Sequence, residues 1–215
     1  MKLSNLILLV FGLMLVSCAV TPKTGYDYSE FEAAKSAFKA AKPRSILIIP
    51  PLNKSVEVNA PYIFLSTISK VVAERGYYVF PVAVIDNYFK QNGLPTTAEM
   101  NSIKIEKLIE HLNPDAIMYI TINQWGQKYE VVRSRAVVST DIQLVESKTG
   151  KTIWKGDTHA AQTSGGGGES LLEIILNAML GQMINNSDSN TRSLSYQANN
   201  SSINNGYSGL PNGPY

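Results

Sequence analysis

The chain has 215 residues, enough for one ordinary domain with tails, and its 44% hydrophobic content lies in the globular range. Its 19 Lys and Arg stand against 17 Asp and Glu, a formal charge of +2 that argues against nucleic acid as a partner, because electrostatic capture needs a clustered basic face. A single cysteine excludes an internal disulfide, so an exported form must rest on its own hydrophobic core.

Met1 and Lys2 open the chain, Leu6 to Val16 is apolar apart from Gly12, and small Ser17 precedes Cys18. A charged start, about 7 to 15 apolar residues and a small residue at the cut make residues 1–17 a signal peptide; a spanning helix needs about 20 apolar residues. Leu15-Val16-Ser17-Cys18 also resembles the bacterial lipobox. The resemblance implies cleavage between Ser17 and Cys18 and a lipid on the Cys18 sulfur. The bland alternative is an ordinary signal peptide that carries the cysteine away. Several acyl chains, at about 0.8 kcal/mol per inserted CH₂, anchor a protein durably without spanning the bilayer. Ala19 follows where inner-membrane lipoproteins of enterobacteria carry Asp, which resembles the outer-membrane class.

Residues 21–28 are polar with Pro22 and Gly25 and read as a short tether. Phe31, Ala34, Phe38 and Ala41 then recur at helical spacing, with Ser29 as N-cap and Pro43 as stop, so residues 18–43 hold the lipidated start, tether and one short helix, against the alternative that this Ala- and Lys-rich stretch is itself flexible tether. "SILIIPPLN" (45–53) predicts a strand buried on both faces. Asn59 caps a helix to about Arg75, whose stripe of Ile63, Phe64, Ile68, Val71 and Val72 faces inward and which Gly76 stops. "YYVFPVAV" gives a second strand ending near Pro81, completing a βαβ unit with a right-handed crossover.

A short helix is expected over 86–92 and a longer one over 96–113, ended by Pro114, with Met100, Ile103, Leu108, Ile109 and Leu112 toward the core. "DAIMYITINQW" is a third buried strand. Beyond Gln127, mixed polar and apolar residues through 147, a turn at "SKTG" and the returning "KTIWKGDTHAAQT" predict antiparallel strands with one wet face. The expected fold is therefore α/β: a mixed sheet, parallel in its first part and an antiparallel meander in its second, flanked by helices over 44–184. "SGGGG" at 164–168 forms a hinge, and 170–184 an almost wholly apolar helix that must be covered on more than one side. Residues 185–215, dominated by Asn, Ser and Gly, read as a disordered tail.

No catalytic constellation emerges. His111 and His159 lie far apart in sequence, and there is no HExxH, CxxC or calcium loop, so no metal or cofactor is expected. His111 at a helix end suits the dipole. The four glycines precede a helix, but no Lys-Ser or Lys-Thr follows and Glu169 would repel phosphate there. No G-x-S-x-G elbow is present. Tyr77, Tyr78, Trp125 and Trp154 suit either an interface or sheet packing, and packing is the plainer reading.

"ILIIPPLNKS", "NPDAIMYITINQW" and "LVESKTGKTIWKG", with Glu146, Thr149-Gly150 and Trp154, resemble in that order the strand segments of the TolB N-terminal domain, and of CsgG-type, PelC-type and Lpo-type lipoproteins, over roughly residues 44–184. The whole chain resembles the GNA-type lipoproteins of Gram-negative bacteria, commonly encoded beside a CsgG-like lipoprotein. The resemblance implies a lipid-anchored, periplasm-facing accessory of an outer-membrane export complex. Such a protein works by protein binding, with a CsgG-like lipoprotein or other envelope proteins as partners, and a homo-oligomer is among the assemblies implied. It brings no catalytic residues. The chain lacks the pair of long alternating hairpins of a CsgG-like pore. Leu171, Leu172, Ile175 and Met179 are the candidate partner contact, against the alternative that their helix covers its own sheet. Rival functions are regulation of a peptidoglycan synthase, for which the tether is short, and ligand binding, which would need a polar pocket.

Overall fold

Strand β1 (Ser45–Ile48) divides its side chains between two cores: Ile46 and Ile48 enter one, while Leu47 and, just beyond the strand, Ile49 enter the other. All four are buried, as a continuous apolar run must be when helices cover both faces of a sheet. The computed structural model describes residues 28–130, 133–164 and 187–215. The leader with Ser17 and Cys18, the tether, the glycine run and the segment with Leu171, Leu172, Ile175 and Met179 lie outside the described residues.

Helix α1 (Tyr28–Ala41) leads into β1. Pro50 and Pro51 have no N–H to offer, so the ladder between β1 and β4 breaks there and resumes at β2 (Leu52–Asn53), which pairs with β4 at Thr121 and Ile122. Helix α2 (Ala60–Glu74) starts with Pro61 in its first turn and stops at Gly76, whose φ of +91° suits glycine. It delivers the chain to β3 (Tyr78–Val79), parallel to β1, so the expected βαβ unit is present.

Helices α3 (Val82–Gln91), α4 (Thr97–Asn101) and α5 (Ile105–Leu112) cover the second core, where Ile85, Phe89, Met100 and Leu108 close on Leu47, Ile49 and Ile117. The single helix expected over 96–113 is thus two. A capping box between Thr96 and Glu99 starts α4, the Ser102 hydroxyl donates to the Glu99 carbonyl at 2.7 Å to end it, and extended Lys104 restarts the turn. Asn113 leaves α5 in the left-handed region at φ +47°, a conformation asparagine tolerates, and Pro114 follows.

Strands β4 (Ala116–Glu130), β5 (Arg133–Glu146) and β6 (Thr152–Ser164) form the antiparallel part. The order is β3-β1-β4-β5-β6, a mixed sheet as expected. β4 runs further than its sequence pattern suggests. A bulge at Asn123, between the pairs Ile122↔Thr140 and Gln124↔Ser139, shifts the alternation by one residue, so that Trp125 returns to the core side.

One correction concerns the C-terminal region. Instead of a disordered tail, α6 (Ser187–Ile203) packs on α2, β5 and β6, burying Leu194, Ala198 and Ile203. Its Asn and Ser residues suit this because the interface is partly polar. Thr67 Oγ lies 2.8 Å from Ser195 Oγ and accepts from Asn199 Nδ2 at 3.0 Å, all three residues being buried. Residues 210–215 then run back as a strap. Arg75 Nε donates to the Leu210 carbonyl at 2.7 Å, Tyr77 Oη to that of Pro211 at 2.6 Å, and Gly213 N to that of Arg75 at 2.9 Å. The α1 helix likewise belongs to the domain, since Phe38 joins the core of α2 and the sheet.

Candidate functional site

Among the described residues two surfaces stand out. The first is an open apolar groove of about 480 Å³ where α1, the start of β6 and residues 207–211 meet. Phe31 and Phe38 come from α1 at the spacing that helical periodicity anticipated. Phe31 stacks on Tyr207, with ring centroids 5.6 Å apart and planes 10° off parallel. Tyr207 is positioned by a local turn in which the Asn205 side-chain oxygen accepts from Tyr207 N at 2.9 Å and Ser208 N at 3.0 Å. Gly209 completes that turn: a Cβ there would lie 2.3 Å from the Asn205 carbonyl oxygen and 2.6 Å from that of Ile203. Trp154 borders the groove and donates its indole N–H to the Ser208 carbonyl at 3.0 Å.

The bulge between Leu144 and Val145 in the β5–β6 register explains how Ile153 and Trp154, adjacent on β6, are both buried. Lysines 35, 151 and 155 are the charged residues lining the groove, and no carboxylate does so. Lys35 lies 5.8 Å from the Phe31 ring centroid and 3.8 Å from the Glu32 carboxylate. Both partners of that ion pair are about half exposed, so the pair contributes little.

The second surface is the wet face of β4–β5–β6, with a recess of about 330 Å³ lined by Tyr119, Thr121, Asp141, Gln143, Lys155 and Asp157 among others. Asp141 and Asp157 are cross-strand partners, and Asn123 Nδ2 donates to Asp141 Oδ2 at 2.7 Å. Burial raises the Tyr119 phenol above its ordinary range. The described side chains make this recess a hydrogen-bonding surface.

Among the described residues no group of three His, Cys, Asp or Glu is arranged to hold a metal ion. His111 ends α5 and His159 sits on β6 opposite Ser139, both exposed. Of the aromatics singled out from sequence, Trp125 packs edge-on against Phe64 at 6.2 Å and Tyr77 is buried, whereas Tyr78 is half exposed beside Phe80. Trp154 joins the groove. The part of the groove that sequence reasoning missed is Tyr207 to Pro211, inside the supposed tail. The Asn-Gly-Tyr-Ser-Gly turn chemistry at 205–209 was the signal for it.

An α/β domain of this kind is found in bacterial lipoproteins. The crystal structure of lipoprotein GNA1162 from Neisseria meningitidis is 37% identical, covers 66% of this chain and 99% of its own, and superposes with a TM-score of 0.54. "Putative lipoprotein NMB1124/NMB1162" of Neisseria meningitidis serogroup B (strain ATCC BAA-335 / MC58) is 36% identical over 173 residues, 80% of this chain and 77% of the relative. The family model described as "Putative lipoprotein GNA1162-like" matches residues 26–215, and the chain belongs to that family. The match includes the residues of α1 and of the C-terminal strap. A PelC dodecamer from Paraburkholderia phytofirmans is 12% identical over 74% of this chain and 88% of its own, with a TM-score of 0.42. A likeness at that level speaks to neither partners nor assembly. Membership of a lipoprotein family makes a membrane-anchored envelope protein the coarse assignment.

Proposed function

We propose that this chain is a lipid-anchored, periplasm-facing accessory of an outer-membrane export complex. It is cleaved behind Ser17, held by a lipid on Cys18, and acts by binding proteins rather than by catalysis. The observation that carries the reading is the groove beside α1. Its apolar lining is open to solvent, and it lies at the end of the domain that follows the tether. Tyr28 is ten steps along the chain from Cys18, so at about 3.3–3.6 Å per residue the start of α1 stays within about 36 Å of the anchor. A partner in the same membrane is therefore in reach. Leu171, Leu172, Ile175 and Met179 are a second proposed contact, with another copy or with a CsgG-like lipoprotein.

Crosslinking the lipidated protein in intact cells, followed by mild detergent extraction and mass spectrometry, tests this. Recovery of a CsgG-like lipoprotein in large complexes supports the export role. Recovery of peptidoglycan synthases without any pore component makes the chain a regulator instead. A Cys18→Ser variant tests the anchor: it should lose the acyl mass and leave the membrane fraction.

A further inference from the structure

We propose that the groove takes an extended, acidic peptide segment of a partner protein, laid along the edge of β6 from Lys151 to Lys155. The inference rests on the protein-binding reading above and specifies its chemistry. Five consecutive residues, 151 to 155, line the groove. A groove on a sheet face would be lined by alternate residues, because successive side chains point to opposite faces. The bulge at Ile153 lets neighbouring residues share a side, and the run from Lys151 to Lys155 sets the groove against the start of β6, the last strand of the sheet.

That edge is open among the described strands, since β6 ends the sheet and pairs only with β5. Backbone groups directed away from β5 require hydrogen-bond partners when water is displaced. A peptide backbone supplies them, as in strand addition, and an acyl chain cannot. The bulge at Ile153 limits regular pairing to a short run. Side-chain anchoring therefore falls to the apolar wall of Phe31, Phe38, Trp154 and Tyr207. The charged residues of the lining are lysines: Lys151, Lys35, which also meets Glu32, and Lys155, which also lines the neighbouring recess. Their sign favours acidic residues on the peptide.

The probe is a fluorescein-labelled peptide alternating valine with glutamate, and its counterpart with lysine for glutamate, titrated into the full lipidated chain in nanodiscs. The glutamate peptide should bind and the lysine peptide should bind at least about tenfold more weakly. Two variants attack the groove independently: Ala34→Trp fills it, and the pair Lys151→Glu and Lys155→Glu inverts its charge. Each should weaken binding about tenfold or more with unchanged circular dichroism. Equal binding of both peptides overturns the proposal, as does wild-type affinity in Ala34→Trp. Displacement of the bound peptide by phosphatidylglycerol vesicles reassigns the groove to lipid. Concentration-dependent dimers abolished by both variants reassign it to a second copy.

In cells the two readings separate. If the variants still recover the partner that the wild type recovers, the groove is not the docking site but the binding role stands. If the wild type recovers no envelope partner, the binding role itself fails.

Discussion

The indole of Trp154 lies against Gly156, two residues along β6, so closely that a Cβ on Gly156 would sit 2.3 Å from ring carbon Cη2 and 2.5 Å from Cζ2. Glycine is needed at 156 for this contact and not for its backbone angles. The ring in turn is held by its N–H bond to the Ser208 carbonyl, so it can make room for a Cβ only by giving up that bond and swinging toward the groove it borders. Gly156→Ala should therefore cost about 1–3 kcal/mol through overpacking. It should also red-shift the emission of Trp154 in a Trp125→Phe background, where no other tryptophan remains. Adding Trp154→Leu vacates the space, so the double variant should lose less stability than the two single losses together. Additive losses in urea unfolding would show that the contact does not govern the position.

The strap closes through a second glycine. A Cβ on Gly213 would lie 2.0 Å from the Gly76 carbonyl oxygen and 2.4 Å from its carbon, backbone atoms that cannot rotate aside. Gly213→Ala should lift the strap and release the bonds of Gly213 N to Arg75, Tyr215 N to Gly76 and Tyr77 Oη to Pro211. At a net value of about 0.5–1.5 kcal/mol per hydrogen bond, the loss is roughly 2–4 kcal/mol. Limited proteolysis read by mass spectrometry should then cut within 206–215 in the variant while sparing the wild type. Equal resistance in both would mean that the strap does not depend on this approach.

The strap and α6 also show where sequence reasoning stopped. The stripe of α2 was legible because its apolar residues repeat at helical period, the run at 45–49 because an unbroken apolar stretch is buried on both faces, and the strand at 152–164 because a turn at 147–150 sends the chain back. The C-terminal region was misread because composition counts apolar residues, whereas α6 docks through Thr191, Ser195 and Asn199 as well as Leu194 and Ala198. An interface held partly by hydroxyl and amide hydrogen bonds has no hydrophobic signature. The Thr96-x-x-Glu99 pattern did announce a helix start, but the apolar residues after it continue at helical spacing across the break at Ser102 to Lys104. Half of the groove was visible as the Phe31 and Phe38 stripe. The other half required knowing that residue 207 returns to residue 31.

The buried polar contact between α2 and α6 has a direction that proton counting settles. Thr67 has one hydroxyl proton, and its Oγ lies 2.9 Å from the Phe64 carbonyl, which can only accept. Ser195 must then donate to Thr67, which also accepts from Asn199. Thr67→Val keeps the shape but leaves two buried donors without that acceptor, a loss of about 1–3 kcal/mol. Ser195→Ala removes one donor and its bond together and should cost about 1 kcal/mol. Because the residues share one network, the double variant should fall short of the summed losses in chemical denaturation. Strict additivity would show that the three side chains act separately.

The capping box of α4 gives a dependence on pH. Thr96 Oγ and N donate to Glu99 Oε2 at 2.7 and 2.9 Å, and the side-chain bond chiefly, the backbone bond next, holds the Glu99 carboxyl below its ordinary value of 4.5. A carboxyl whose folded value is depressed contributes stability that is present above its unfolded value and lost as the pH falls through the folded one. Glu99→Gln keeps an acceptor but no charge. The wild type should therefore exceed the variant in urea midpoint near neutral pH, and the gap should close between about pH 5 and pH 3. Met100, buried one residue further on, couples this exposed cap to the second core, so fraying of α4 should register in global unfolding. A gap that stays constant to acid pH would show that the charge on Glu99 is not what starts the helix.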